Sequence, residues 1–172
     1  MRYDFDNMLQ MIYKGKYRLL GNGSSRRVFD LENGFVVKVA KDIRGIHQNN
    51  AEYTVYKNNK SGMFAHIEAV SEDFGLLIMT KAQKIKSMDI VFQYYKVRNS
   101  QALFRLTGFI DDITLYNLGK GDLKRSANWG LIDGVPKIID YGLTKEIYQK
   151  YYSRKLLFFR NKKRLAIKDI TA

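Results

Sequence analysis

Hydrophobic and polar residues follow a strand-like pattern in the first half of the chain. Short runs of aliphatic, β-branched and aromatic residues, bounded by Gly, Asn or Asp, predict a five-stranded antiparallel sheet ending near residue 79. The expected strands are a run from residue 17, a run across Val28 and Phe29, and the segments 35–40, 64–70 and 75–79. Short helices are predicted within 1–14 and over 48–56.

From Ser87 the apolar residues recur with a helical period. A modest helix is expected over 88–97, and a stronger one over 101–118 that ends at Gly119 as its C-terminal cap. The apolar stripe of the stronger helix is Leu103, Leu106, Ile110 and Ile113.

A hairpin is expected further along. Asp133-Gly134 has the composition of a two-residue turn, so 129–132 and 135–139 should pair as strands. The last segments predict helices over 145–152 and 156–167.

Composition narrows the class of protein. With 172 residues, of which 45% are hydrophobic and 13% aromatic, the chain can bury a core as one domain or two small lobes. It has no cysteine, which is typical of a reducing compartment. Residues 1–17 carry Asp and Lys where a signal peptide is apolar, and no apolar run reaches the ~20 residues of a membrane span. We expect a cytoplasmic protein without a membrane partner.

The net charge of +13 is concentrated at one end. Residues 150–172 hold eight basic side chains and one acid, Asp169. Such a tail suits an acidic partner or nucleic acid, and Tyr151-Tyr152 and Phe158-Phe159 would suit stacking on a single strand. A solvated amphipathic helix whose aromatic residues pack on the long helix explains the same pattern.

Lys38 lies in the middle of the apolar segment Phe35-Val36-Val37-Lys38-Val39-Ala40. An unpaired ammonium is costly to bury, so Lys38 needs a carboxylate, a phosphate or both. Glu52, on the following predicted helix, is the candidate carboxylate. Lys41 is the alternative lysine if the strand register differs.

Three oxygen-bearing side chains converge around the hairpin. Asp122 lies on a loop, Asn128 directly precedes the first hairpin strand, and Asp140 follows the second. Asp and Asn oxygens are suitable ligands for Mg²⁺, which usually shares its coordination with substrate phosphates. Earlier in the chain, Gly21-Asn22-Gly23 joins two strands, and such a turn allows backbone N–H groups to approach phosphates.

In this order, the motifs resemble the protein-kinase-like superfamily, in particular its small bacterial and phage members. Gly21, Gly23 and Val28 match the glycine-rich loop, and Asp140-Tyr141-Gly142 matches the metal-binding Asp-Phe-Gly element. The resemblance implies an α+β, two-lobe fold. An N-lobe over 1–82 would hold the five-stranded sheet and one helix, and a reduced helical C-lobe would occupy 83–172.

The resemblance also implies site roles and the cofactors ATP and Mg²⁺. Asp122, Lys38 and Lys120 would be catalytic, and Asn128 and Asp140 would bind the metal. Nucleotide binding would use the glycine-rich loop, the adenine pocket, the Lys–Glu pair and the hinge, through Gly21, Gly23, Val28, Val36, Lys38, Glu52, Met79, Thr80 and Ala82.

The chain departs from the kinase pattern at several points. Arg26 replaces the third glycine, where it would either add a cation to the phosphates or hold the loop away from them. Lys120-Gly121-Asp122 replaces His-Arg-Asp, and Asn128 follows Asp122 by six residues rather than five. No Ala-Pro-Glu element follows Asp140, so the usual peptide-docking helices are missing.

We therefore expect a kinase-like phosphotransferase that moves the γ-phosphate of ATP to a hydroxyl, with Ser or Thr of a protein as the acceptor. A pseudokinase that binds a partner through its basic surface is the main alternative. A small-molecule kinase of the aminoglycoside or choline type is the third.

Overall fold

The computed structural model describes residues 3–153. Its helices are α1 (Phe5–Tyr13), α2 (Ile43–Asn58), α3 (Asp89–Tyr94), α4 (Ser100–Leu103), α5 (Phe109–Leu115), α6 (Lys120–Leu123) and α7 (Lys145–Tyr151), with a 3-10 turn at Ser126–Asn128. Its strands are β1 (Leu19–Asn22), β2 (Arg26–Asp30), β3 (Phe35–Ala40), β4 (Ile67–Val70), β5 (Leu76–Thr80), β6 (Gln83–Lys84), β7 (Trp129–Ile132) and β8 (Val135–Ile138).

The first five strands form an antiparallel sheet in the order β1-β2-β3-β5-β4. This confirms the predicted sheet. Because side chains alternate across a strand, β3 directs Val37 and Val39 to one face and Val36 and Lys38 to the other.

Both faces of the sheet are covered, which explains why β3 and β5 are apolar throughout. On one face, Met8 and Ile12 of α1 join a cluster that contains Val37 and Ile78. The opposite face belongs to the larger core, which extends from Met79 to residues of the second half, including Phe109, Trp129 and Ile138. The helix predicted within 1–14 thus closes the outer face of the sheet.

The hairpin is confirmed. β7 and β8 pair with Ile132 opposite Val135, and the turn residues Asp133 and Gly134 have φ values of 51° and 78°. β6 adds a third strand to this small sheet.

The prediction of one long helix over 101–118 is wrong. Two short helices, α4 and α5, replace it, and Gly108 separates them with a φ of 77°. This left-handed conformation favours glycine and interrupts the helix. As a result Ile110 of the expected buried stripe is 43% exposed, and Gly119 is the N-cap of α6 rather than a C-cap.

Backbone contacts tie the two halves together beside the sheet. The amide of Ala65 donates to the carbonyl of Ile138 at 2.9 Å, and the amide of Ile138 donates to the carbonyl of Met63 at 2.8 Å. The predicted lobe boundary at residue 82 stays a prediction. No helix among residues 3–153 is long and apolar enough to cross a membrane, and the helix predicted over 156–167 lies outside the described residues, as does most of the basic tail.

Candidate functional site

A cleft of about 420 Å³ opens between the five-stranded sheet and the two segments that flank the β7–β8 hairpin. Eleven of the residues proposed from the sequence line it together: Gly21, Gly23, Val28, Val36, Lys38, Met79, Thr80, Ala82, Asp122, Asn128 and Asp140. Glu52 is fully buried behind Lys38 and does not reach the wall. Lys120 is exposed on α6 and does not line the cleft either.

Lys38 and Glu52 form a buried ion pair. The ammonium of Lys38 donates to both carboxylate oxygens of Glu52, at 2.9 and 2.7 Å, and to the carbonyl of Ile139 at 2.7 Å. Lys38 therefore links the sheet, α2 and the residue directly before Asp140. Lys41, the alternative lysine, instead donates to the carbonyl of Gly23 at 2.6 Å and is not part of the cleft wall.

Glu52 also fixes the backbone after Asp140. Its Oε1 accepts from the amides of Tyr141 and Gly142, each at 3.2 Å. The Tyr141 hydroxyl donates to the carbonyl of Ala65 at 3.1 Å, which anchors the ring in the core. One carboxylate thus holds Lys38 and the Asp140-Tyr141-Gly142 segment in a common frame.

Arg26 joins the same cluster, from the position where the kinase loop has its third glycine. Its Nη2 donates to Asp140 Oδ1 at 2.7 Å, and its Nη1 lies 3.1 Å from Glu52 Oε1 and 3.2 Å from Asn49 Oδ1. The arrangement differs from both expectations for Arg26, because its guanidinium bridges the two acids Glu52 and Asp140 beneath the loop. No local sequence pattern indicates these partners.

The charges of this cluster shift one another's pKa values. Burial lowers the pKa of Lys38, and Arg26 adds to this effect against the opposing influence of Glu52. Partial desolvation of the half-exposed Asp140 would raise its pKa, but the cations Arg26 and Lys38 outweigh this effect and lower that pKa. Despite burial, Glu52 and Asp140 raise the pKa of Arg26. At neutral pH Arg26 is therefore cationic and Asp140 is ionised.

On the opposite wall, Asp122 lies in the short helix α6 and not on a loop as expected, and the segment that follows the helix holds it in place. The Asn128 side-chain amide donates to the Asp122 carbonyl at 3.1 Å, and the fully buried Trp129 donates from Nε1 to the Leu123 carbonyl at 2.9 Å. These bonds span the extra residue between Asp122 and Asn128. Arg125, which sequence reasoning missed, lines the cleft with its Nη1 3.5 Å from Asp122 Oδ1.

Two glycines outside the glycine-rich loop have a tighter packing role than Gly21 and Gly23. A Cβ at Gly45 would lie 2.4 Å from the Ser25 carbonyl oxygen, and one at Gly142 would lie 2.5 Å from the Gln48 carbonyl oxygen. At Gly21 and Gly23 the nearest contacts would be 3.9 and 3.5 Å, which are ordinary distances. Gly45 and Gly142 therefore allow the loop and the Asp140 segment to pack closely on α2.

The donor set suits a single hard cation that shares its coordination with phosphates. Asp140 is half exposed, and the described residues place no hydrogen bond on its Oδ2. Asn128 commits its amide nitrogen to Asp122, which leaves its amide oxygen for a ligand. Within residues 3–153 no group of three or more His, Cys, Asp or Glu could hold a metal by itself, so phosphate oxygens would have to complete the coordination.

Comparisons with known proteins give limited similarity. No family model matches the chain, and no curated protein matches it. Among solved structures, the streptomycin–ATP ternary complex of APH(2")-IIa matches with 22% sequence identity and a TM-score of 0.39. The match covers 66% of this chain, which spans 40% of the length of that protein.

The described residues form an α+β fold in which a five-stranded antiparallel sheet and a mostly helical second half border one cleft. The five-stranded antiparallel sheet with its strand lysine and helix glutamate stands on one side of the cleft, and α6 with Asp122 and the segment leading to β7 stand on the other.

Proposed function

We propose that this protein binds ATP with Mg²⁺ in the cleft and transfers the γ-phosphate to a hydroxyl acceptor. The observation that carries the proposal is the Lys38–Glu52 pair, with Lys38 bonded to the carbonyl directly before Asp140 and facing Asp122 across a shared cleft. Strand lysine, helix glutamate and two acids around one cleft are the parts that kinase-like phosphoryl transfer uses.

The apolar part of the cleft would hold adenine. Leu20, Val28, Val36, Met79 and Ile139 line it. The amides of Thr80 and Lys81 already donate to His66 and Gly34 carbonyls, both at 2.9 Å. The backbone of Ala82 is therefore the hinge group that we assign to the adenine edge.

The polar part would hold the phosphates and the acceptor. Lys38 would contact the α- and β-phosphates, while Asp140 and Asn128 would hold Mg²⁺, which neutralises phosphate charge when bound. Asp122 would orient the acceptor hydroxyl and take its proton as the oxygen bonds to the γ-phosphorus and the bond to the β,γ-bridging oxygen breaks, releasing ADP. Arg125, which lines the cleft where Lys120 does not, would contact the transferred phosphate.

A protein Ser or Thr is our proposed acceptor. The exposed side chains of Lys84 and Arg125 line the cleft, which favours an acceptor with acidic groups near the hydroxyl. A non-catalytic nucleotide-binding protein is the second candidate, because Arg26 already engages one oxygen of the proposed metal ligand Asp140.

Transfer from labelled ATP with Mg²⁺, alone and with cell lysate, tests the proposal. We expect Asp122→Ala to lower the transfer rate by about 10²–10⁴-fold, the usual contribution of a positioned base. Asp111→Ala, which removes an exposed carboxylate on α5, should leave the rate unchanged. Equal transfer by Asp122→Ala and the parent would overturn the catalytic assignment, and no transfer by the parent would support the second candidate.

A further inference from the structure

Arg26 is built into the site as a fixed side chain. Its side chain is only 8% exposed, although Arg26 is the first residue of β2, close after the glycine-rich loop. Three residues hold the guanidinium: Asp140 on the cleft side and Glu52 and Asn49 on the α2 side. A planar guanidinium with several donors suits such multiple contacts better than an ammonium.

Asn49 of α2 holds the Arg26 guanidinium on the side away from the cleft. It is fully buried, and its side-chain amide donates to the Phe74 carbonyl at 2.8 Å while its Oδ1 accepts from Arg26. The amide orientation is therefore fixed by a second bond. Removing the guanidinium would leave this oxygen, and part of the Glu52 carboxylate, without their buried donor.

Charge balance points to the role of this guanidinium. Arg26 and Lys38 supply two positive charges, and Glu52 and Asp140 supply two negative charges, so the cluster is neutral without any metal ion. Without Arg26 the cluster would carry one excess negative charge beside the proposed phosphate site. That excess charge would repel a polyphosphate until a divalent cation neutralised it.

We propose that Arg26 is a resident cation that takes over the charge-neutralising task of a metal at Asp140, so that nucleotide binds in this cleft without a divalent ion. The inference rests on the nucleotide site of the proposed function and concerns binding only. Mg²⁺ would then be required for transfer, through the second oxygen of Asp140 and the amide oxygen of Asn128.

The first experiment compares ATP affinity in EDTA and in Mg²⁺ by calorimetric titration. We expect the parent to bind ATP in EDTA within about threefold of its affinity in Mg²⁺. Arg26→Ala should lose about tenfold or more in EDTA, because the uncompensated negative charge of the cluster repels the phosphates, and recover in Mg²⁺. Arg27→Ala is the matched control, because Arg27 lies on the same strand with its guanidinium 5.6 Å from the Phe29 ring and outside the cleft.

A second readout requires no nucleotide. Mn²⁺ titrated into the free protein, followed by paramagnetic resonance, should bind Arg26→Ala about tenfold tighter than the parent, since Asp140 would then be free of its guanidinium. Arg26→Lys keeps the charge and should fall between the two. Circular dichroism of each variant establishes that it is folded.

Two sets of results overturn the inference. One is an equal dependence of ATP binding on metal in the parent, Arg26→Ala and Arg27→Ala, or no ATP binding by the parent in EDTA. The other is tighter ATP binding by Arg26→Ala than by the parent in EDTA, which would make Arg26 an obstruction. These measurements concern binding, so they test the inference separately from the proposed function. If ATP binding by the parent required a metal but transfer still depended on Asp122, the inference would be wrong and the proposed function would stand.

Discussion

Asp30 shows how a single side chain restrains the strand that borders the cleft. It is buried and accepts from Lys81 Nζ at 2.7 Å, from the Glu32 amide at 3.0 Å and from Arg18 Nη2 at 3.1 Å. The bond from Lys81 is the largest of the causes that lower the pKa of Asp30 to about 2. Lys81 lies between Thr80 and Ala82, the two residues that we propose as the hinge, so Asp30 restrains the strand that borders the cleft.

This pKa predicts a pH dependence of stability. Because the folded-state pKa lies below the ordinary value of about 4, the ionised carboxylate stabilises the fold above that pH, and the contribution is lost as pH falls toward 2. The difference in free energy of unfolding between the parent and Asp30→Asn should therefore be constant at neutral pH and shrink between roughly pH 4 and pH 2. Denaturant titrations across this range measure it.

Asp111→Asn provides the control for that measurement, since Asp111 is exposed on α5. Its difference from the parent should be small at every pH. A difference for Asp30→Asn that stays constant down to pH 2 would contradict the assigned pKa.

The sequence predicted individual residues where burial forces a partner. Lys38 in an apolar strand required an anion, and the structure supplies Glu52. Arg26 was harder, because its partners Asn49 and Asp140 lie 23 and 114 positions away and nothing local marks them. Only the three-dimensional approach of the loop to α2 brings them together.

At the scale of elements, α2 is the support on which the cleft is built. The glycine-rich loop and the Asp140 segment both pack on its backbone through Gly45 and Gly142. The sequence predicted the central part of α2, over 48–56, but the helix begins earlier, at Ile43, and Gly45 lies in the part that was not predicted. A glycine is required at position 45 because the Ser25 carbonyl approaches α2 closely there, and residue spacing along the chain does not reveal such a contact.

Gly45→Ala tests this packing. In an unconstrained helix the change would stabilise, because alanine has the higher helix propensity. Here the new Cβ would meet the Ser25 carbonyl oxygen at 2.4 Å and Ala40 at 2.9 Å, so we expect a loss of about 1–3 kcal/mol in the free energy of unfolding.

Gly121→Ala in α6 is the matched comparison, because no atom lies within 4 Å of its added Cβ. It should be neutral or stabilising by up to about 1 kcal/mol. Thermal or denaturant unfolding of both variants gives the answer, and equal effects at the two glycines would refute the close-packing role of Gly45.

The break between α4 and α5 is a case in which a continuous helical sequence pattern did not produce a continuous helix. The stripe of four apolar residues was real in part, since Leu103 and Ile113 are buried. Asp112, also buried, accepts from the amides of Lys60 and Ser61 at 2.9 Å each and fixes α5 against the loop after α2. This tertiary contact, together with the left-handed Gly108, overrides the continuous helical period.

At the scale of the whole molecule, the cleft depends on contacts between distant segments. Lys38 reaches Ile139 across 101 positions, and Glu52 reaches Gly142 across 90. The order of motifs predicted that these segments meet, and the sheet and hairpin were predicted correctly. The charge balance within the cleft could not be predicted, because it depends on which cation lies beside which acid.

The central claim is that Lys38, supported by Glu52, binds a nucleotide triphosphate in this cleft. Calorimetric titration of Mg-ATP into the parent, Lys38→Met and Lys41→Met tests it most directly. We expect the parent and Lys41→Met to bind within about threefold of each other, and Lys38→Met to lose about tenfold or more through its missing charged contact. Lys38→Met binding as tightly as the parent, or a parent that does not bind Mg-ATP, would contradict the claim.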